Sequence, residues 1–219
     1  MTWGLYLREG ICNRLVHLGE RLNAPWLIYN PLLFRRFHEL ALKNAPPVMR
    51  TLEQVFPKAQ RYVDVGSGSG AFAAEAQRRG RQVIACEHGP TGRRMARRQG
   101  VDCRPFDLNQ DPPAELSGTF DLAYCFEVAE HLPDAFGRKL VKFIASLAPT
   151  IVFTAAQPGQ LGQGHINEQP KQYWADRFIE QGFVFRQDLT EVVSDGFRRE
   201  GTASDWMVRN VLVLEKPDE

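Results

Sequence analysis

Two groups of side chains in this 219-residue chain have the types and spacing of reactive sites. The first is Glu127, Glu130 and His131, a Glu-x-x-Glu-His run. Its two carboxylates and one imidazole can exchange protons, or offer oxygen and nitrogen ligands to a divalent ion. The second is the polar, glycine-rich stretch from Ala155 to Gln169, which carries His165 and, beside it, Asn167, Glu168 and Gln169. A neutral imidazole that titrates near physiological pH is the natural general base. His165 is therefore the first candidate to take a proton from a hydroxyl, His131 the second, and Glu127 completes the catalytic set. The amides and carboxylate after His165 are suited to orienting an acceptor by hydrogen bonds. The competing reading is a loop closed by its own polar contacts, with His165 structural.

A third group is suited to holding a nucleotide-like ligand. Asp64-Val65-Gly66-Ser67-Gly68-Ser69-Gly70 runs from an expected strand into an expected helix. Glycines there let the chain take positive φ and let a ligand approach the backbone. The spacing also satisfies a dinucleotide fingerprint, through Gly66, Gly68 and Ala71, with Glu87 placed where a ribose-binding acid would lie. Asp64 weighs against that option, because a carboxylate repels a pyrophosphate but suits the cationic amino group of S-adenosylmethionine. Glu87 fits either ligand, since its oxygens can accept from both ribose hydroxyls. Asp107 is placed to accept from an adenine amino group, with Phe106 or Leu108 packing on the ring.

The elements that must position these groups follow from periodicity. Strands are expected at Tyr62 to Val65, Gln82 to Cys86, Asp102 to Pro105, Phe120 to Cys125, Thr150 to Thr154, Phe183 to Gln187 and Val208 to Leu214. Helical patterns lie between them, at Ala71 to Arg79, around Phe136 to Leu147 and at Pro170 to Gln181. The alternation indicates an α/β fold with a largely parallel sheet. Ahead of it, residues 1–58 read as helical segments broken at Pro25, Pro31 and Pro46-Pro47, an extension to a domain at 59–219. Trp26, Tyr29, Phe34, Phe37 and His38 in that extension could roof a substrate pocket, although packing on the sheet is the more usual role of such residues.

From Arg61 to Lys216 the ordered set of segments resembles the class I S-adenosylmethionine-dependent methyltransferases. The resemblance implies a Rossmann-like sheet of seven strands with helices on both faces, decorated by the helical N-terminal extension. It implies that Asp64, Gly66, Ser67, Gly68 and Gly70 meet the methionine part of the cofactor, Glu87 and His88 the ribose side, and Asp107 and Leu108 the adenine. Cys125, near the end of the fourth strand, would lie beside the cofactor. The Glu127 to His131 segment is similar to that of ubiquinone-pathway O-methyltransferases and small-RNA 2′-O-methyltransferases, where such residues contribute to a divalent metal site. His165 could add a ligand. Similar letters occur in relatives without a metal, and no metal is expected here. The loop Pro158-Gly159-Gln160…Gly164-His165-Ile166-Asn167-Glu168-Gln169, followed by Trp174 and by Arg209-Asn210-Val211, is similar to a bacterial and phage-type subgroup.

Charge and composition bound the partners. Lys and Arg number 27 against 26 Asp and Glu, so no global field draws in nucleic acid or an anionic membrane. A small-molecule acceptor methylated on oxygen or nitrogen is expected, ahead of an RNA methyltransferase or a cofactor-binding protein without catalysis. Arg93, Arg94, Arg97 and Arg98 would share a helix face, read as solvated in preference to phosphate-binding. Four scattered cysteines form neither a zinc pattern nor a disulfide framework. No stretch approaches the roughly 20 apolar residues of a membrane span, and no leader is evident, so a reducing cytoplasm is the expected location. The oligomeric state is not legible.

Overall fold

The computed structural model describes residues 11–16, 18–19, 21–22, 24, 27, 30–110, 113–201 and 204–217. Its seven strands are β1 (Arg61–Val65), β2 (Gln82–Cys86), β3 (Asp102–Arg104), β4 (Leu122–Phe126), β5 (Thr150–Thr154), β6 (Val184–Phe185) and β7 (Leu212–Glu215). They form one sheet in the order β3-β2-β1-β4-β5-β7-β6. The first five are mutually parallel, and β7 runs antiparallel to both β5 and β6. The chain order therefore reverses between β1 and β4, which opens a crevice at the carboxyl ends of those strands.

Helices cover both faces, and strand periodicity explains how. In β1, Tyr62 faces one layer while Val63 and Val65 face the other. The Val63 side packs on α4 (Asp134–Ala145) and α5 (Lys171–Ile179) through Leu140, Phe143, Ile144, Trp174 and Phe178. On the Tyr62 side lie α1 (Pro31–Val55), α2 (Ala71–Arg78), α3 (Pro90–Arg98), α6 (Gln187–Arg199) and α7 (Asp205–Asn210). Val48, Met49, Leu52, Ala73, Ala96, Val193, Phe197 and Met207 fill that layer. The second half of α1 is thus part of the same core as the sheet.

The expected break at Pro46-Pro47 does not occur, and α1 runs for 25 residues through both prolines. Asn30 caps its start by accepting from the N–H groups of Leu32 and Leu33, and Pro31 occupies the first turn, where no N–H is needed. At the prolines two backbone bonds are lost. Burial of Ala45, Pro47, Val48, Met49 and Leu52 offsets that loss, and side chains bond the helix backbone on either side, Asn44 Nδ2 donating to Leu40 O and Thr51 Oγ1 to Pro47 O.

Other boundaries shift. Val208, Arg209 and Asn210, expected in the last strand, close α7 instead. The strand expected at Phe183 to Gln187 is two residues long, and Gln187 opens α6, an amphipathic helix the sequence reading did not assign. The strand expected from Phe120 begins at Leu122, and that expected to Pro105 ends at Arg104. No helix among the described residues is long and apolar enough to cross a membrane. Trp26, Tyr29 and Pro25 lie outside the described residues.

Candidate active site

The cofactor candidates converge at the carboxyl ends of β1, β2 and β3. Gly66, Gly68 and Gly70 all have positive φ, at 75°, 53° and 77°. Each has a different neighbour. A Cβ on Gly66 would meet Val128 Cγ2 at 2.5 Å, and one on Gly70 would meet Ala96 Cβ at 2.6 Å, whereas one on Gly68 would face space with no atom within 4 Å. The outer two glycines permit close packing, and the middle one borders the open crevice. Ser67 is buried, with Oγ 3.9 Å from Cys103 Sγ.

Asp64 lies beneath this loop, 3% exposed, with Oδ2 buried and lacking a hydrogen-bond partner. Burial, then repulsion from Glu87, pushes its carboxyl up to about 8. Tyr124 and the Ala73 backbone favour the ionised form without reversing that rise, and an acid so buried is suited to a cationic group delivered from outside. Glu87 accepts from Gly68 N–H at 2.8 Å and Gly89 N–H at 2.5 Å, one bond per oxygen. Burial raises its carboxyl while those two donors oppose the rise. Each oxygen retains a lone pair for a further donor.

His88 is exposed, and its Nδ1 donates to Phe106 O at 3.1 Å, linking the loops after β2 and β3. Asp107 Oδ1 accepts from Asn109 N and Nδ2, and leaves Oδ2 for a ligand; Phe106 and Leu108 are half-buried beside it. Cys125 differs from its neighbours. Its side chain is fully buried in the core on the α4 side, and desolvation holds the thiol well above its usual value. Only its backbone lies along the sheet edge. In α3, Arg93 donates to Glu87 O and Arg97 to Cys103 O, so half of the arginine cluster caps strand-end carbonyls, and Arg94 and Arg98 are exposed.

The reactive candidates meet at the ends of β4 and β5. Glu127 has φ 54°, uncommon for a residue with a Cβ, and its N–H donates to Thr154 Oγ1 and O. Its carboxylate is held by Gln160 Nε2 at 3.0 Å and Asn210 Nδ2 at 3.1 Å, and Asn210 also donates to Gln160 Oε1. Glu130, in the 3-10 turn Ala129–His131, is fully buried, and its carboxyl meets the Glu127 carboxylate and the backbone of Ala156. Desolvation, then Glu127, keeps that carboxyl well above the usual range. His131 Nδ1 donates to Gly164 O at 3.1 Å, and burial, with His165 adding, lowers its imidazole to about 4.

His165 packs edge-on to His131, with ring centroids 5.0 Å apart. Its Nδ1 lies 2.8 Å from Glu168 Oε1. Desolvation raises the Glu168 carboxyl, and the bonds from His165 and from Gly159 N–H outweigh it, leaving the group below its usual range. Glu130, His131 and His165 each place one ligand atom within 4.8 Å of the others, a spacing open to a divalent cation. The residues expected to orient an acceptor are engaged in part, and the buried Asn167 Nδ2 has no partner among the described residues. Glu168 holds His165, and Asn167 Oδ1 accepts from Gln169 Nε2.

Three contacts tie distant segments to the site, and of these the one made by Asn210 was not legible as a site feature. Asn210 reaches Glu127 from the far end of the chain; His38 of α1 lies 2.9 Å from Ser69 Oγ in the glycine loop; and Phe34 approaches Gly89, whose Cβ would lie 3.5 Å from its Cζ. Of the expected aromatic roof, Phe34 and His38 thus border the cofactor loops, while Phe37 is exposed.

Known proteins resemble this chain in sequence and in fold. The chain is 38% identical over 80 residues to a ubiquinone biosynthesis O-methyltransferase of Xanthomonas oryzae pv. oryzae, a match covering 34% of this chain and 33% of that one. The chain thus matches about a third of that relative's length. A sugar N-methyltransferase from Streptoalloteichus has the same fold at TM-score 0.61 and 14% identity, over 80% of this chain and 88% of that one. Magnesium protoporphyrin IX methyltransferase from Synechocystis, solved with S-adenosylhomocysteine bound, follows at 0.60 and 14%, over 85% and 87%. Residues 34–192, more than half of the chain, match the profile described as a methyltransferase domain. A match of that extent places the chain in the methyltransferase domain family.

Proposed function

We propose that this chain is an S-adenosylmethionine-dependent methyltransferase that acts on a hydroxyl oxygen of a small molecule, with His165 as the base. The observation that carries the reading is the pairing of two sites on one sheet edge. A buried, unpartnered Asp64 oxygen lies under the glycine loop, and a carboxylate-supported imidazole stands two strands away. When bound, the cofactor supplies an electrophilic methyl group on a sulfonium. Asp64 then receives its amino group, Glu87 its ribose hydroxyls and Asp107 its adenine amine, with Phe106 and Leu108 against the ring. Glu127, fixed by Asn210 and Gln160, shapes the wall between the two sites.

The proton of the acceptor hydroxyl passes to His165, because a hydroxyl must lose it as the new bond to carbon forms. An acceptor nitrogen with a free lone pair would need no such base at the moment of transfer, which is why oxygen is favoured over nitrogen. The loop from Pro158 to Gln169 supports a place in the bacterial and phage-type subgroup, with residues 1–58 as an extension to the domain at 59–219. Four buried, free cysteines suit a reducing cytoplasm. Calorimetry is expected to show binding of S-adenosylmethionine but not of NAD. His165→Ala is expected to keep that binding and lose turnover on hydroxyl acceptors in a labelled-methyl screen; unchanged turnover would remove the base.

One observation favours a second reading of the catalytic half. Fully buried Glu130, with one ligand atom close to those of His131 and His165, suits a divalent cation as well as a proton. Magnesium, manganese or zinc is then expected to raise turnover and a chelator to abolish it, and indifference to both would dismiss the ion.

A further inference from the structure

We infer that Glu168 is the positioning residue of this site: it fixes the tautomer and the orientation of His165, so that Nε2 is the atom presented to the acceptor. The inference deepens the proposed methyl transfer and rests on its reading of His165 as the imidazole that meets the acceptor. Glu168 uses its oxygens for two different tasks. Oε1 takes the Nδ1 proton of His165 at 2.8 Å, and Oε2 takes the N–H of Gly159 at 2.9 Å, which ties the carboxylate to the loop that carries the imidazole. An ionised carboxylate only accepts, so Nδ1 must bear the proton and Nε2 the lone pair.

The rest of the loop is shaped around that ring. A Cβ at Gly162 would collide with His165 Nε2 and Cε1. Gly162 is not among the glycines with positive φ, so its conformation does not demand glycine; the space taken by the imidazole does. His131 closes another side edge-on, its own Nδ1 spent on Gly164 O. Both Nδ1 atoms are therefore turned to the loop, each spent on an acceptor within it.

The chemical step then balances. The acceptor oxygen bonds the methyl carbon, the sulfur keeps the electron pair of the bond that breaks, and the hydroxyl proton moves to His165 Nε2. The imidazolium so formed is offset by Glu168, which stays ionised, and the proton leaves to solvent.

Nitrogen-15 spectra of the histidines in the full, ligand-free chain, recorded where His165 is neutral and assigned with His165→Ala, read the tautomer directly. The wild type and Glu168→Gln, which keeps an acceptor, are expected to show Nδ1–H; Glu168→Ala is expected to show a mixture. In parallel, kcat is expected to fall about ten- to a hundredfold in Glu168→Ala, with KM for the cofactor unchanged and partial recovery in the Gln variant. Gly162→Ala, which leaves the carboxylate in place, is expected to shift the His165 resonances and lower kcat. An unaltered tautomer in Glu168→Ala, or, where that variant does not fold, a kcat in Glu168→Gln equal to that of the wild type, overturns the positioning role. Unaltered turnover in His165→Ala instead overturns the reading on which it rests, and leaves the tautomer result standing as a fact about the loop.

Discussion

Asp64 shows how one buried side chain couples ligand binding to protons. In the free protein its carboxyl lies at about 8, because burial and Glu87 both disfavour the charge. A folded value raised above the unfolded one contributes stability that is fully present below about 4 and is lost as pH rises through about 8. An incoming ammonium group needs the ionised form. Binding of S-adenosylmethionine is therefore expected to strengthen between pH 6 and 8 and to release protons, measurable by calorimetry in buffers of different ionisation enthalpy. Asp64→Asn is expected to flatten that dependence and weaken binding by roughly 1.5–3 kcal/mol, the worth of a charged hydrogen bond. At this scale the sequence was legible where neighbours in the chain fix the geometry, as in the glycine loop and the acids that end β1 and β2. It was not legible for Asn210 and Glu127, 83 positions apart, or for Glu168, whose facing toward His165 in an irregular loop follows no period.

Among the elements, α1 is the one whose sequence signals and packing disagree. Two consecutive prolines argued for a break, yet the buried face at Val48, Met49 and Leu52 holds the helix continuous against α2 and α6. Local propensity is outweighed because the apolar burial spans both sides of the prolines. The crossing with α6 is close: a Cβ on Gly196 would run into Thr51 Cγ2. Gly196→Ala is thus expected to destabilise by about 1–3 kcal/mol, read from denaturant midpoints, in spite of the better helix propensity of alanine. Thr51→Ala, by making room, is expected to recover part of that loss. Strand ends and α7 were misjudged for a related reason. Val208 to Leu214 is an apolar run interrupted only by Arg209 and Asn210, and its short pattern fits the end of a buried helix and a buried strand equally.

For the molecule as a whole, alternation of strands and helices announced the α/β class and seven strands, the number that the resemblance also implied. The direction of β7 came from neither, since periodicity carries no sign for parallel or antiparallel pairing. Its position matters for function as well as fold. Asn210, at the end of α7, donates to both Glu127 and Gln160, and β7 follows directly, wedged between β5 and β6. Ending the chain after Glu200 is therefore expected to abolish cooperative unfolding, seen as loss of a sigmoidal thermal transition in circular dichroism; a retained transition would show that the remaining strands suffice.

The same wedge has a consequence for synthesis. On a ribosome β6 emerges before the strand that joins it to the sheet, so Val184 and Phe185 wait, with the exposed backbone edge of β5, for residues 212–215. Until then two open edges stand side by side in the nascent chain, the geometry on which chaperones and misassembly both act.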